Sequence, residues 1–138
     1  MSSDFIVAIH AMTFLYHKGE TVPSDVLADN ACTNPARVRR VMAKLKNAGL
    51  VHAKEGRKKG GYSYPLERVV TLGDIARALS VTFSGFNWHS GDKERECLIS
   101  SGMGDYTENL SQELDRKCLE YLDTVTVSQV EEQLIRRQ

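Results

Sequence analysis

Arg37, Arg40 and Lys44 recur at intervals of three and four residues, and a run Arg57-Lys58-Lys59 follows between glycines. These side chains are suited to polyanions. An arginine guanidinium can donate two hydrogen bonds to O6 and N7 of a guanine, while a lysine ammonium mostly neutralises phosphate. At about 100° per residue, Arg37, Arg40 and Lys44 share one helical face with Asn47 beside them. A second source of chemistry is the three thiols of Cys32, Cys97 and Cys118, which are nucleophilic only as thiolates. Catalytic patterns are missing: there is no phosphate loop, no Ser-His-Asp arrangement and no carboxylate cluster in a plausible pocket. An enzyme is not expected.

The cationic residues need a helix to present them. Val38, Val41, Met42 and Leu45 fall at i, i+3, i+4 and i+7, the spacing of a buried stripe. Thr33 or Asn34 serves as the cap, Pro35 as the first helical residue, and Asn47-Ala48-Gly49 as the stop. A short helix beginning near Pro23-Ser24 precedes it, carrying Val26, Leu27 and the small Ala28. Two short helices joined by a tight turn form a helix-turn-helix. Ahead of them, Phe5, Ile6, Ile9, Met12, Thr13 and Tyr16 space as a helix closed by Lys18-Gly19. Behind them, Leu50–Ala53 and Tyr62–Tyr64 read as strands flanking the basic loop. Thr71-Leu72-Gly73-Asp74 opens a fourth helix holding Ile75, Ala76 and Leu79. Residues 83–104 resist assignment, a long helix is expected over Asp105–Asp123, and Thr126-x-x-Gln129 forms a capping box for a last short helix.

Eighteen cationic and eighteen acidic residues cancel over the 138-residue chain, so total charge says nothing about nucleic acid. Locally the balance is uneven. Residues 34–68 hold ten Lys/Arg against two acids, whereas residues 1–33 hold one against four and residues 69–138 seven against twelve. Such asymmetry is an electrostatic footprint for a polyanion on one part of the molecule. The fold class expected is mainly α with a small β-hairpin. It divides into a winged helix-turn-helix domain over 1–83, a connecting or sensor segment over 84–104 and C-terminal dimerisation helices over 105–138. No apolar run approaches about 18 residues, so no membrane span is expected. Met1-Ser2-Ser3-Asp4 lacks the basic residues of a secretory signal, and an odd cysteine count fits a reducing compartment. The expected location is the cytoplasm.

Helix, wing and C-terminal helix, in this order, resemble the bacterial Rrf-two family of winged-helix transcription regulators, of the IscR, NsrR and CymR type. The resemblance runs through Ala8-Ile9-His10, Thr33-Asn34-Pro35-x-x-Val38-Arg39-Arg40, Leu45-x-x-Ala48-Gly49-Leu50-Val51, Gly60-Gly61-Tyr62 and Thr71-Leu72-x-Asp74-Ile75-x-x-Ala78. It implies a dimeric cytoplasmic regulator, usually a repressor, whose recognition helix reads the major groove of double-stranded DNA while the wing reaches the minor groove. It implies DNA contact at Thr33, Asn34, Pro35, Arg37 and Arg40, and at Arg57, Lys58 and Lys59 of the wing tip. Lys44 extends the cationic face, and Gly60, Gly61 and Tyr62 complete the wing, the glycines letting backbone approach the sugar–phosphate wall. Ser63-Tyr64-Pro65 after Tyr62 points to a short return strand.

The long helix lies outside the DNA-binding unit, with Leu110, Leu114 and Cys118 at i, i+4 and i+8 and Tyr121 near its end. A second copy of the chain would cover this stripe; folding back on its own core is the other outcome. Helix-turn-helix readers pair to match half-sites about 34 Å apart, which favours the homodimer and a pseudo-palindromic operator. A winged-helix module that binds protein, or a regulator controlled by a small molecule or partner enzyme, is the alternative. Iron–sulfur members of the resembled family carry three closely spaced cysteines before the dimer helix, and here only Cys97 stands there. A family-type cluster, and indeed any cofactor or metal, is not expected. Cys32 and Cys97 are candidates for a redox switch, joined by a disulfide between subunits. Cys32 serves equally well as a small core residue at the turn, and Cys118 fits buried packing. His10, His17 and His52 read as packing or surface residues, and His89 with Cys97 and an acid is a weak metal pattern.

Overall fold

The computed structural model describes residues 2–56 and 58–137. Among these described residues, six helices and one hairpin follow in the order α1 (Ser3–Lys18), α2 (Ser24–Asn30), α3 (Pro35–Asn47), β1 (His52–Lys54), β2 (Gly61–Ser63), α4 (Leu72–Ala78), α5 (Leu98–Leu122) and α6 (Val127–Arg136). The fold class is the one expected, mainly helical with one two-stranded antiparallel sheet.

The core forms where α1, α3 and α4 converge. Val38, Val41, Met42 and Leu45 are all buried, so the stripe read from spacing is the face α3 packs inward. Asn34 caps this helix by accepting the Arg37 N–H at 2.8 Å, and Pro35 opens it. Ala28 is buried on α2, as a small packing residue should be. Ser24 is the first residue of α2 rather than its cap; Pro23 holds the cap position without a side-chain bond. Thr71 with Asp74, and Thr126 with Gln129, form complete capping boxes at α4 and α6.

On α1 the buried face agrees with the expected one at Phe5, Met12 and Thr13 and differs at Ile6 and Tyr16. Phe5, Ala8, Met12 and Leu15 point into the core, whereas Ile6 is 55% exposed. This helix is apolar nearly all round, so spacing alone cannot select which stripe is covered. The strands differ too. Leu50 and Val51 are core residues ahead of β1, and pairing runs His52 to Ser63, Ala53 to Tyr62 and Lys54 to Gly61. Tyr62 also exchanges two backbone hydrogen bonds with Val22, from the loop between α1 and α2, at 2.8 and 2.9 Å. The wing is thereby tied to the helix-turn-helix.

The expected long helix begins seven residues early, at Leu98, and passes through Gly102 and Gly104. It therefore takes in the last part of the 84–104 segment. The two C-terminal helices also part company. α6 packs against α1, and the Val127 side chain is fully buried in the winged-helix core. Backbone bonds Leu72 N–H to Val125 O (2.9 Å) and Val127 N–H to Val70 O (3.0 Å) secure that return. Along α5 no residue is buried; it meets α4 and contributes Leu119 and Leu122 to the edge of the core. The histidines of α1 find polar partners, His10 with Asn30 (2.7 Å) and His17 with Glu131 (3.1 Å).

Candidate nucleic-acid interface

Opposite its buried stripe, α3 exposes Ala36, Arg40, Ala43 and Asn47. This outward line is mostly small, so a helix bearing it can approach a groove floor with one long side chain, Arg40, reaching ahead. Cationic residues flank the line on both sides. On one flank stand the exposed Arg39 and Lys46, and on the other Arg37 and Lys44. Ala43 and Lys46 line a cleft of about 440 Å³ shared with Lys54 and Gly61 of the wing and with α2. The wing tip projects from its far side with Lys58 and Lys59 exposed. Arg57 lies outside the described residues.

Arg40, Lys44, Lys58 and Lys59 are each exposed, and the cleft joins α3 to the wing through Ala43 and Lys46. Thr33 and Pro35 are half-buried at the start of α3, and Asn34 is exposed although its side chain is committed to the cap. Tyr62 is half-buried, packs against the core and also lines this cleft. Gly60 and Gly61 also have an internal reason. A Cβ on Gly61 would meet Val22 O at 2.4 Å, and one on Gly60 would meet Gly56 O at 2.2 Å. The bare backbone admits these neighbours.

Arg37 and Arg40, which spacing presents as a free pair, are not free. Asp4, in the first turn of α1, accepts from Arg37 Nε at 3.0 Å and from Arg40 Nη2 at 3.0 and 3.1 Å. A second Arg37 nitrogen, Nη2, donates to Ser3 Oγ. The Arg37 hydrogen bond, then that of Arg40, holds the Asp4 carboxyl below its ordinary value. Arg39, Lys44 and Lys46 have no acidic partner among the described residues. Arg39, Lys46 and Asp4 do not figure among the site residues expected from sequence. Projecting α3 outward from its buried stripe finds the first two. Nothing local marks Asp4, which is 33 residues from Arg37.

The three thiols are free; Cys32 lies in the α2–α3 turn, while Cys97 holds the N-cap position of α5 and Cys118 lies further along the same helix. Cys32 is exposed there with a left-handed backbone, φ 55°, so of the two roles open to it the accessible thiol fits and the core residue does not. Cys97 is exposed at the N-terminus of α5, where the amides of Ser100 and Ile99 draw its thiol below the ordinary range. Cys118 is half-buried on α5, the helix that also carries the half-exposed Leu110 and Leu114 and the exposed Tyr121.

With this geometry in place, the comparisons with known proteins decide the family. The model of the Rrf2 family, described as "Iron-dependent Transcriptional regulator", matches residues 1–133. The chain belongs to the Rrf2 family. Rrf2 proteins are DNA-binding transcription regulators, not enzymes. Among solved structures, a putative transcriptional regulator from Lactobacillus plantarum superposes with a TM-score of 0.80 at 25% identity, covering 97% of this chain and 91% of that one. T. potens IscR gives 0.71 at 22% identity, covering 100% and 90%. CymR, the global cysteine regulator of B. subtilis, gives 0.67 at 21% identity, covering 96% of each. No curated protein sequence matches the chain.

The family description implies iron, and the donor set does not fit it. Among the described residues no group of three or more His, Cys, Asp or Glu side chains is placed to hold a metal ion. His89 is near Glu108 at 3.6 Å without a thiol completing a set. No described helix is long and apolar enough to cross a membrane.

Proposed function

We propose that this Rrf2 protein is a homodimeric repressor that reads a pseudo-palindromic operator in double-stranded DNA. The observation that carries the reading is the outward face of α3, with Arg40 and Asn47 exposed opposite a fully buried stripe and cations on both flanks. In the major groove this face puts Arg40 toward base edges. Arg39, Lys44 and Lys46 meet phosphates on either wall, while Lys58 and Lys59 follow the backbone into the adjacent minor groove. The dimer is supported by α5, which exposes Leu98 and Ile99 and half-exposes Leu110 and Leu114 over 25 residues without burying one. A second copy crossing it would cover this apolar face and set two α3 helices about 34 Å apart. Occupancy of a promoter by such a dimer blocks transcription.

Selection of bound DNA from a random pool tests this directly. Two inverted half-sites, one helical turn apart, are the expected product. No enrichment, or enrichment of a single unpaired half-site, would overturn it.

A redox response is supported by Cys97, an exposed thiol whose ionisation is eased by the first amides of α5. With Cys32 as the partner thiol, its oxidation would tie the partner's recognition unit to α5 and shift half-site geometry.

A further inference from the structure

Asp4 is the one acidic side chain in contact with the outward cations of α3 among the described residues. How it engages the two arginines differs. Arg37 spends Nε on Asp4 and Nη2 on Ser3, and its side chain is 26% exposed. Arg40 spends only Nη2 on the carboxylate, keeps Nε and Nη1 open, and is 57% exposed. Taking about 100° per residue, Arg40 lies roughly 30° from the outward direction of α3 and Arg37 roughly 90°. One arginine is therefore committed within the protein and the other accessible at its surface. The trio still carries a net positive charge, so the carboxylate does not silence the face.

A free arginine on a helix samples many rotamers, and ordering it at the DNA costs conformational entropy. A carboxylate held by a second guanidinium reduces that freedom beforehand and leaves Nε, Nη1 and the second Nη2 hydrogen of Arg40 free to donate. We infer that Asp4 is a specificity-determining positioning residue, which aims Arg40 at a guanine edge through the Arg37–Asp4–Arg40 bridge. The inference rests on the proposed DNA reading. It adds that the N-terminal turn of α1, which need not touch DNA itself, determines how sharply one base is discriminated.

The test uses the full chain on the site it selects from a random pool and on single-base variants of that site. Arg40→Ala identifies the base that Arg40 reads. Asp4→Asn is then expected to lose discrimination at that same base by roughly tenfold, within the range of a bidentate contact, while preferences elsewhere stay intact. In the double variant Asp4→Asn, Arg40→Ala, the loss should be no greater than for Arg40→Ala alone. Asp4→Glu keeps the charge but displaces the carboxylate, and should show a partial loss at that base. It also supplies the measurement if Asp4→Asn fails to fold. Equal strengthening on every sequence with the base preference kept would make Asp4 a charge brake and overturn the inference. A lowered melting temperature with unchanged base preference would make Asp4 a fold residue only, and would overturn it equally. If the chain selects a site but Arg40→Ala alters no preference on it, Arg40 reads no base and the inference is overturned; if the wild-type chain selects no site, the DNA reading fails and the inference falls with it.

Discussion

Arg77 of α4 and Asp123 at the end of α5 meet at two points, Nη1 to Oδ1 at 2.6 Å and Nη2 to Oδ2 at 2.7 Å. The pair fastens the C-terminus of the long helix to the winged-helix core, and a glycine makes room for it. A Cβ on Gly73 would lie 1.9 Å from Asp123 Oδ1 and 3.1 Å from its backbone nitrogen. Both ends of the ion pair are well exposed, so the pair itself is worth under about 1 kcal/mol. The close approach is what makes the site sensitive.

Gly73→Ala should accordingly destabilise the protein by about 1–2 kcal/mol through overpacking, although alanine is the better helix former. Urea unfolding measures this. The cost should shrink in an Asp123→Ala background, where the crowding carboxylate is gone. An equal cost in both backgrounds would place the clash elsewhere.

Arg39→Ala and Lys46→Ala should each weaken binding to all sequences alike and reduce the salt slope, as expected of phosphate contacts. With about six phosphates neutralised per dimer, log K should fall against log salt with a slope near −5 in the unaltered protein. Lys58→Ala should behave as these two do. A slope near zero on the selected site would remove the electrostatic account of the whole surface.

Much of this architecture is legible in the residues, and where it is not the reasons are physical. The α3 stripe and its Asn34-Pro35 start are readable because capping and period agree there. On α1 the period fails because apolar residues surround the helix, leaving the choice of face to the partners α3, α4 and α6. Gly102 and Gly104 hide the first turns of α5, since glycine weakens a helical reading without forbidding a helix. The cationic face of α3 can be located from spacing, but not its wiring. Arg37 and Arg40 are joined through Asp4, a contact made only once α1 packs beside α3.

Dimerisation should depend on α5. Leu110→Asp with Leu114→Asp places two carboxylates in a half-exposed apolar stripe, tolerable in a monomer and costly once covered. Sedimentation should show a monomer whose helical circular dichroism is largely retained, because neither residue belongs to the core. A variant that stays dimeric would move the interface to another face.

Acid should weaken the fold in a defined direction. Hydrogen bonds from Arg37 to Asp4 and from Arg77 to Asp123 hold both carboxyls below their ordinary 3.8. Groups lowered in the folded state contribute stability that is complete above the unfolded value and lost as pH falls through the folded one. Urea midpoints of the wild type should therefore drop below about pH 4, while the double variant Asp4→Asn, Asp123→Asn starts lower and drops less steeply. Parallel curves would show that neither carboxylate is linked to folding.

The thiols separate a redox switch from plain exposure. Cys97 has the eased ionisation and the open position, so alkylating reagents should label it ahead of the half-buried Cys118. If oxidation controls DNA binding through Cys32 and Cys97, mild oxidant should give a species of doubled mass on non-reducing gels and release DNA. Cys97→Ser and Cys32→Ser should each abolish both effects, and Cys118→Ser should leave them. Because Cys32 is exposed, its serine variant should stay within about 0.5 kcal/mol of the parent's stability, so a lost response cannot be blamed on a damaged core. Should Cys32→Ser keep the doubled species while Cys97→Ser loses it, the bond joins two Cys97 residues across the dimer. Geometry then requires the α5 N-termini of the two subunits to approach within about 7 Å between Cα atoms. Should oxidant leave DNA binding intact in the wild type, sensing does not run through thiols, and the recognition surface of α3 and the wing stands without it.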